Sequence, residues 1–243
     1  MTTRALFLER LRREMAKTRG LFPAGSAERP ADPVALAETI RRQLVERWPA
    51  ALEKFREEFE QVSGHFYHVS DVEDALATIS RIAKEREARR LIAWATELLG
   101  PNLEPRLRAR GFEVMEESPG AADSAQQTAF REISARAELG VTGVDLAVAE
   151  TGSLVVISGP GKARSTSLLP PYHVAVFGRT ALVESLEQVG VMLEAIHRDP
   201  GRVMVGAGIS FITGPSRTAD IELTLTRGVH GPKEVHAIFV ESL

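Results

Sequence analysis

Residues 66–95 read FYHVSDVEDALATISRIAKEREARRLIAWA and decide the fold. The apolar run 66–69 predicts a strand, after which Asp71 offers its carboxylate as the N-cap of a helix. The apolar residues of this helix recur on one face: Val72, Leu76, Ile79 and Ile82. The run 91–95 predicts a second buried strand, so the segment is a strand-helix-strand unit of a parallel sheet.

The same alternation continues downstream of this unit. We predict further helices over residues 103–110, 123–138 and 180–196. Short apolar runs predict strands over residues 112–115, 144–148, 154–157, 173–177, 209–213 and 235–240. This cadence is typical of an α/β fold in which an open, parallel-rich sheet is covered by helices on both faces. We assign residues 65–243 to this α/β domain.

The first 64 residues follow a different rhythm. Apolar residues at helical spacing predict one amphipathic helix near the start and a helical region over residues 34–62, in which Pro49 marks a kink or a junction. A break rich in proline and glycine, residues 20–33, separates the two. We predict that residues 1–64 form a helical appendage, mobile or involved in assembly, whose removal leaves the remainder folded.

Composition argues against several classes of function. The formal net charge is -3, which gives no overall attraction for nucleic acid or for anionic membranes. The chain has 0 cysteines, so it forms no disulfide and offers no thiolate to zinc or to an iron–sulfur cluster. The sequence shows neither a signal-peptide pattern nor an apolar stretch of about 20 residues, and we expect a cytoplasmic protein.

Polar segments interrupt the predicted strands at their ends, where open α/β sheets place ligands. The first segment consists of Glu150, Thr151, Gly152 and Ser153. It is typical of a turn, although a carboxylate at a strand end is also a candidate functional group. The second segment, residues 159–173, combines glycines with Arg164, Ser167 and His173. It is either an anion-binding loop or an ordinary surface loop, and it lacks the spacing of a Walker loop.

The third and fourth segments, residues 212–222 and 228–232, add more polar groups. Their candidate ligand-binding residues are Gly214, Ser216, Arg217, Thr218, Asp220, Glu222 and His230. If the chain is helical from Thr218 onward, its free amides join Ser216 and Arg217 in an anion cradle. The alternation of apolar residues after Asp220 instead permits a strand. The alternative without a ligand is a capped helix start that carries a surface ion pair.

The other histidines and the tryptophans are predicted to be structural. His65 and His68 flank an apolar run, and neither has a carboxylate or a third histidine at ligand spacing. We therefore predict no metal site. His197 lies at the end of a predicted helix, where it interacts with the helix dipole. Trp48 and Trp94 are interpreted as packing residues rather than stacking platforms.

The order and spacing of the four segments form a specific pattern. It consists of ETGS at 150–153, SLLPPYH at 167–173, GPSRTADIE at 214–222 and GVHGP at 228–232. This pattern resembles the LUD-domain family, over roughly residues 65–243. The resemblance implies a fold like that of the sugar-phosphate isomerase and coenzyme A transferase superfamily. It also implies a part in the oxidation of L-lactate to pyruvate, beside two partner proteins that carry iron–sulfur clusters.

Two functions from different classes are compatible with these residues. In the first, the chain is an accessory subunit of a lactate-oxidising system: it binds no cofactor, and its polar cleft takes a small carboxylate or phosphate. In the second, it is an enzyme of the isomerase or acyl/CoA-transferase type, with Glu150 or Glu222 as base or nucleophile and Arg217 orienting an anionic substrate. We favour the first, because no cofactor fingerprint and no nucleophile-base pair is recognisable.

One cleft is predicted to hold Glu150, Ser216, Arg217, Asp220 and His230.

Overall fold

A computed structural model describes the backbone of residues 3–17, 30–94, 103–117, 128, 132–198, 208–219 and 225–243. In chain order its strands are β1 (His65–Val69), β2 (Arg90–Trp94), β3 (Glu113–Glu117), β4 (Leu139–Gly143), β5 (Leu146–Val148), β6 (Ser153–Ile157), β7 (Tyr172–Phe177), β8 (Leu182–Val183), β9 (Ile209–Ile212), β10 (Arg217–Ala219), β11 (Leu225–Arg227) and β12 (Glu234–Val240). Six of these strands form a sheet in the order β1-β12-β7-β4-β2-β3, and every neighbouring pair is parallel. The predicted α/β class and the parallel sheet are confirmed.

Helices cover both faces of this sheet, as predicted. The described helices are α1 (Thr3–Lys17), α2 (Pro33–Gln61), α3 (Val72–Glu85), α4 (Leu103–Arg108), α5 (Arg164–Leu168) and α6 (Leu186–Arg198). Of these, α2 packs on one face of the sheet, and α3 and α4 pack on the other. Asp71 caps α3, because its carboxylate accepts a hydrogen bond from the Asp74 N–H at 3.0 Å. The helix α2 continues through Pro49 without a break. No helix within the described ranges has both the length and the apolar character required to span a bilayer.

The side chains of the central strands alternate between two buried layers. On β7, Val174 and Val176 pack in the layer that contains α3 and α4, whereas Ala175 and Phe177 pack in the layer that contains α2. This alternation follows from the two-residue period of a strand. Because both faces are covered, the strand sequences are almost continuously apolar.

A second sheet, which the sequence did not predict as a separate unit, lies beside the first. Its order is β8-β5-β6-β9, with β6 antiparallel to both β5 and β9.

The strands β10 and β11 pair antiparallel with each other. Of the two alternatives for the chain after Arg217, the strand is therefore correct up to Ala219. The helix predicted over residues 123–138 lies largely outside the described residues.

The helix predicted over residues 180–196 begins later than the apolar pattern indicates. Residues Arg179–Ala181 form a single 3-10 turn, Leu182–Val183 is the short strand β8, and α6 starts only at Leu186. The reason is tertiary, since β8 pairs with β5 and both of its residues are buried. A buried two-residue strand and the first turn of a helix have the same apolar composition, so the sequence did not separate them.

The helix α2 belongs to the hydrophobic core. Phe55 and Phe59 are 0% exposed and pack with Phe177 and Phe239 of the central strands. The ring centroids of Phe55 and Phe177 are 5.3 Å apart, in an edge-to-face arrangement. The domain boundary at residue 64 stays a prediction, and the burial of these two side chains defines its test.

Candidate functional site

The first polar segment packs against the last turns of α2. Gly152 has a φ of +59°, and a Cβ atom at this position would lie 2.3 Å from the backbone nitrogen of Phe59. Only glycine fits such a close approach in the left-handed region of φ. The neighbouring Thr151 hydroxyl donates a hydrogen bond to Ser153 Oγ at 2.8 Å. Glycine is therefore required here for packing as well as for the turn.

The third segment approaches the same end of α2. Ser153 Oγ lies 2.7 Å from Thr213 Oγ1, which joins the first and third segments through their hydroxyl groups. Gly214 has a φ of +78°, and a Cβ atom there would lie 2.5 Å from the carbonyl oxygen of Val62. The two segments meet because β5 and β9 run in the same direction, so their carboxyl ends lie at one edge of the second sheet.

Ser216 attaches the fourth segment to the third. Its N–H donates to the Pro232 carbonyl at 2.8 Å, and its own carbonyl accepts from the Gly228 N–H at 3.1 Å. The Ser216 Oγ accepts a hydrogen bond from the His230 N–H at 3.3 Å. Ser216 and His230 were both predicted as site residues, and the structure places them side by side.

The carboxyl end of the second segment lies beside the residue that follows the fourth segment. Its Pro171 carbonyl accepts from the Lys233 N–H at 2.9 Å, where β7 and β12 begin. The rest of the segment is bound to the strands, because Trp94 Nε1 donates to the Ala163 carbonyl at 2.9 Å. Arg164 is exposed, whereas Ser167 is buried and donates its hydroxyl to the Arg164 carbonyl at 3.2 Å.

His173, another predicted site residue, lies inside the protein. It is 0% exposed, and its Nε2 is 2.9 Å from Thr142 Oγ1, while its Nδ1 has no hydrogen-bond partner. Burial, with a smaller effect of the neighbouring His236, lowers its pKa from the ordinary 6.5 to about 3. His173 is therefore neutral at physiological pH.

The predicted carboxylates and the arginine have different environments. Glu150 is exposed, and its Oε2 accepts a hydrogen bond from the Leu186 N–H at 2.9 Å, which caps the start of α6. Arg217 is exposed, and its guanidinium group has no hydrogen-bond or ion-pair partner among the residues that the structure describes. Thr218 is described only in its backbone, as part of β10, while Asp220 and Glu222 lie outside the described residues. The single cleft that joins Glu150 to Arg217 stays a prediction.

Sequence reasoning missed a cluster of three potential metal ligands. His65 on β1 and Glu234 and His236 on β12 place one ligand atom each within 4.8 Å of one another. His236 lies directly opposite His65 in the strand register, and their ring centroids are 4.7 Å apart. One signal was available: Glu234 and His236 are two residues apart on a strand, so both side chains project from one face. Nothing in the sequence showed that β12 pairs with β1.

Comparison with known proteins agrees with this architecture. The family model described as LUD domain matches residues 52–240. The chain belongs to the LUD-domain family. The match begins within α2 and includes all four polar segments as well as β12. The resemblance inferred from the sequence is thereby confirmed.

Two curated relatives of this LUD-domain chain carry the name lactate utilization protein C. The one from Exiguobacterium sp. is 40% identical over 50% of this chain and 52% of its own length. The one from Halalkalibacterium halodurans is 34% identical over 67% of each chain. The aligned chain thus spans about half of the first relative's length and two thirds of the second's.

One solved structure supports the fold of the LUD domain. It is the crystal structure of a DUF162 family protein from Deinococcus radiodurans, with a TM-score of 0.53 and 21% sequence identity. The superposition covers 79% of this chain and 97% of that chain. At this level of identity the similarity concerns the fold alone.

Charge and hydrogen bonding in the three-residue cluster of the LUD domain shift the pKa values of Glu234 and His236. Burial alone would raise the pKa of Glu234. Arg86 lowers it more strongly, through a 2.7 Å hydrogen bond from Nε and through its positive charge, so the pKa of Glu234 lies below its ordinary value. Burial and the charge of His65 lower the pKa of His236 to about 4. The Tyr67 hydroxyl is 3.1 Å from His236 Nδ1. At neutral pH the cluster thus presents a carboxylate beside a neutral imidazole.

Proposed function

We propose that this LUD-domain chain takes part in lactate utilisation as an accessory subunit that binds a small carboxylate, while partner proteins carry the electrons. Relatives named lactate utilization protein C, 40% and 34% identical to this chain, support the pathway. The main structural support for ligand binding is that the first, third and fourth polar segments are hydrogen-bonded together at the end of α2. Segments far apart in sequence are held together there by bonds between polar groups.

The groups left free at this assembly suit an anion. Arg217 is exposed and unpaired within the described residues, and it begins β10 directly after Ser216. His230 is exposed on the adjoining segment. A guanidinium group binds a carboxylate through two parallel hydrogen bonds, which gives orientation as well as affinity. Lactate and pyruvate each carry one carboxylate, so Arg217 is the proposed recognition residue.

The oxidation itself is assigned to partners. Conversion of lactate to pyruvate removes two electrons and two protons, and a cofactor or metal centre normally accepts them while the protein positions the substrate. This chain has 0 cysteines, so a conventional cysteine-bound iron–sulfur cluster has no ligands here. We propose that such clusters lie on the partner proteins, and that activity requires the assembled system.

Two measurements test this function. The purified chain is expected to leave lactate unoxidised in the presence of an artificial electron acceptor, and to oxidise it only after its partners are added. Cells that carry Arg217→Ala are expected to grow poorly on lactate, whereas Arg41→Ala, which removes an exposed arginine of α2, is the matched control. Circular dichroism checks that both variants fold.

Each measurement can contradict the proposal. Lactate turnover by the isolated chain would favour an enzyme over an accessory subunit. Normal growth of the Arg217→Ala strain, with a folded protein, would remove Arg217 from ligand recognition. Affinity purification from lactate-grown cells identifies the partners, and recovery of the chain without any iron–sulfur protein would contradict the proposed division of labour.

A further inference from the structure

Two of the three ligand atoms in the His65, Glu234 and His236 cluster are spaced as zinc ligands are, and the third lies nearby. His236 Nε2 lies 3.3 Å from Glu234 Oε2, and one ligand atom of each residue lies within 4.8 Å of the other two. Donors about 2.0–2.1 Å from zinc at tetrahedral angles are about 3.3 Å from each other. The carboxylate and the buried imidazole therefore already have the separation of two zinc ligands, and a ligand atom of the exposed His65 lies within 4.8 Å of both.

The buried nitrogen of His236 has no hydrogen-bond partner among the described residues, although the Glu234 carboxylate lies within ion-pair distance of it. The His236 side chain is 1% exposed, and its Nε2 makes no hydrogen bond, because the nearby Glu234 oxygen is within 3.3 Å but outside hydrogen-bond geometry. Its other nitrogen, Nδ1, is hydrogen-bonded to the Tyr67 hydroxyl at 3.1 Å. When Nδ1–H donates to Tyr67, the lone pair of Nε2 and the carboxylate face each other as two acceptors. A cation between them satisfies both, whereas an empty site leaves a buried polar atom unpaired.

The surroundings hold these ligands in place. Arg86 donates from Nε to Glu234 Oε2 at 2.7 Å and so orients the carboxylate, while the Glu85 carboxylate, 3.7 Å from Arg86 Nη1, offsets the charge of the arginine. Arg86 is the C-cap of α3, and the carbonyl end of a helix favours a nearby cation. Tyr67 fixes the ring orientation of His236, as hydrogen-bond partners outside the coordination sphere commonly do for histidine ligands.

We infer that His65, Glu234 and His236 bind one divalent transition-metal ion of the zinc class. Two imidazoles and one carboxylate suit Zn²⁺ and its first-row neighbours, whereas Mg²⁺ and Ca²⁺ prefer oxygen ligands throughout. Three protein ligands leave at least one coordination position for water or for an anion. This site is distinct from an iron–sulfur cluster, so it agrees with the absence of cysteine.

Calorimetric titration of the full chain, stripped with a chelator, tests the site. We expect one Zn²⁺ per chain, no comparable binding of Mg²⁺, and a visible absorption spectrum of a Co²⁺-loaded sample that indicates nitrogen and oxygen ligands. His65→Gln removes an exposed ligand and is expected to weaken Zn²⁺ binding by at least about 100-fold, with Tyr67→Phe weakening it by about 10-fold. The matched control is His68→Gln, since His68 is an exposed histidine of the same strand that contacts Glu241 instead.

Zn²⁺ binding by the substituted chains distinguishes the proposed site from binding elsewhere. Weakened binding in His65→Gln and Glu234→Gln, with unchanged binding in His68→Gln, supports the site. Zn²⁺ binding that none of the substitutions alters would place the ion elsewhere and overturn the inference, as would the lack of any binding in the unaltered chain. The Zn²⁺ affinity of His236→Gln is interpreted only if circular dichroism shows that this variant is folded, because the His236 side chain is buried. The exposed His65 keeps the test decisive in either case.

Discussion

Replacement of Gly152 by alanine tests whether the glycine of the first polar segment is required for packing against α2. A residue other than glycine in the left-handed region costs roughly 1–2 kcal/mol. The new Cβ would also lie 2.3 Å from the Phe59 nitrogen and 2.6 Å from the Glu58 carbonyl carbon, both backbone atoms of a helix that is buried in the core. Such overpacking costs about 1–3 kcal/mol more, because the helix or the turn must move.

Two other glycines separate these contributions. Gly111 has a φ of +91°, but no atom lies within 4 Å of the position that a Cβ would occupy there, so Gly111→Ala carries the backbone cost alone. Gly159 has neither a positive φ nor a neighbour within 4 Å of its Cβ position, and Gly159→Ala should change stability by less than about 1 kcal/mol. The expected order of destabilisation is therefore Gly152→Ala, then Gly111→Ala, then Gly159→Ala.

Urea unfolding followed by circular dichroism measures the three free energies of unfolding. We expect Gly152→Ala to lose about 2–5 kcal/mol, which for a chain of this size lowers the melting temperature by about 2–4 °C per kcal/mol. If Gly152→Ala is no less stable than Gly111→Ala, the close contact with α2 contributes nothing and the reasoning is refuted. Gly214→Ala, whose Cβ would lie 2.5 Å from the Val62 carbonyl oxygen, repeats the test on the third segment.

Three further predictions concern the core. Because Phe55 is buried, a chain that starts at Pro33 should fold, whereas one that starts at His65 should show no cooperative unfolding by circular dichroism. A cooperative transition of the shorter chain would instead confirm the domain boundary at residue 64. Phe55→Ala should lose about 3–5 kcal/mol of unfolding free energy in urea, while Phe7→Ala, which alters an exposed side chain, should lose almost none. The pKa of His173 is about 3 in the folded state and about 6.5 in the unfolded state, so acid favours the unfolded chain, which takes up a proton first. The stability of the fold that depends on neutral His173 is therefore complete above pH 6.5 and is lost as the pH falls towards 3. His173 alone should make the free energy of unfolding about 2 kcal/mol lower at pH 5 than at pH 7. A folded His173→Gln variant that keeps the full pH dependence would contradict the assignment.

The local elements of the fold could be predicted from sequence because their signals are local. The segment from residue 66 to residue 94 forms the strand, the capped helix and the second strand that its apolar spacing indicates. The partners of each strand could not be predicted, since apolar periodicity identifies a strand and gives no information on its neighbours. The position of β12 between β1 and β7, and the separate second sheet, both depend on such pairing.

The same limit applies to the candidate site. Polar segments at strand ends were expected to meet, and Ser153, Thr213, Ser216 and His230 do so through hydrogen bonds. His65 was set aside because no carboxylate or third histidine lies at ligand spacing from it and His68, yet the pairing of β1 with β12 brings Glu234 and His236 to it. Long-range strand pairing therefore determined both what was missed in the fold and what was missed in the site.

The position of β12 has a consequence for synthesis. Among the described strands of the six-stranded sheet, β1 pairs only with β12, which is made after every other one of them. While a ribosome translates the intervening residues, β1 lacks its neighbour and the apolar rings of α2 lack Phe239. A nascent chain interrupted before residue 234 would keep these surfaces exposed, which makes such fragments substrates for chaperones and proteases.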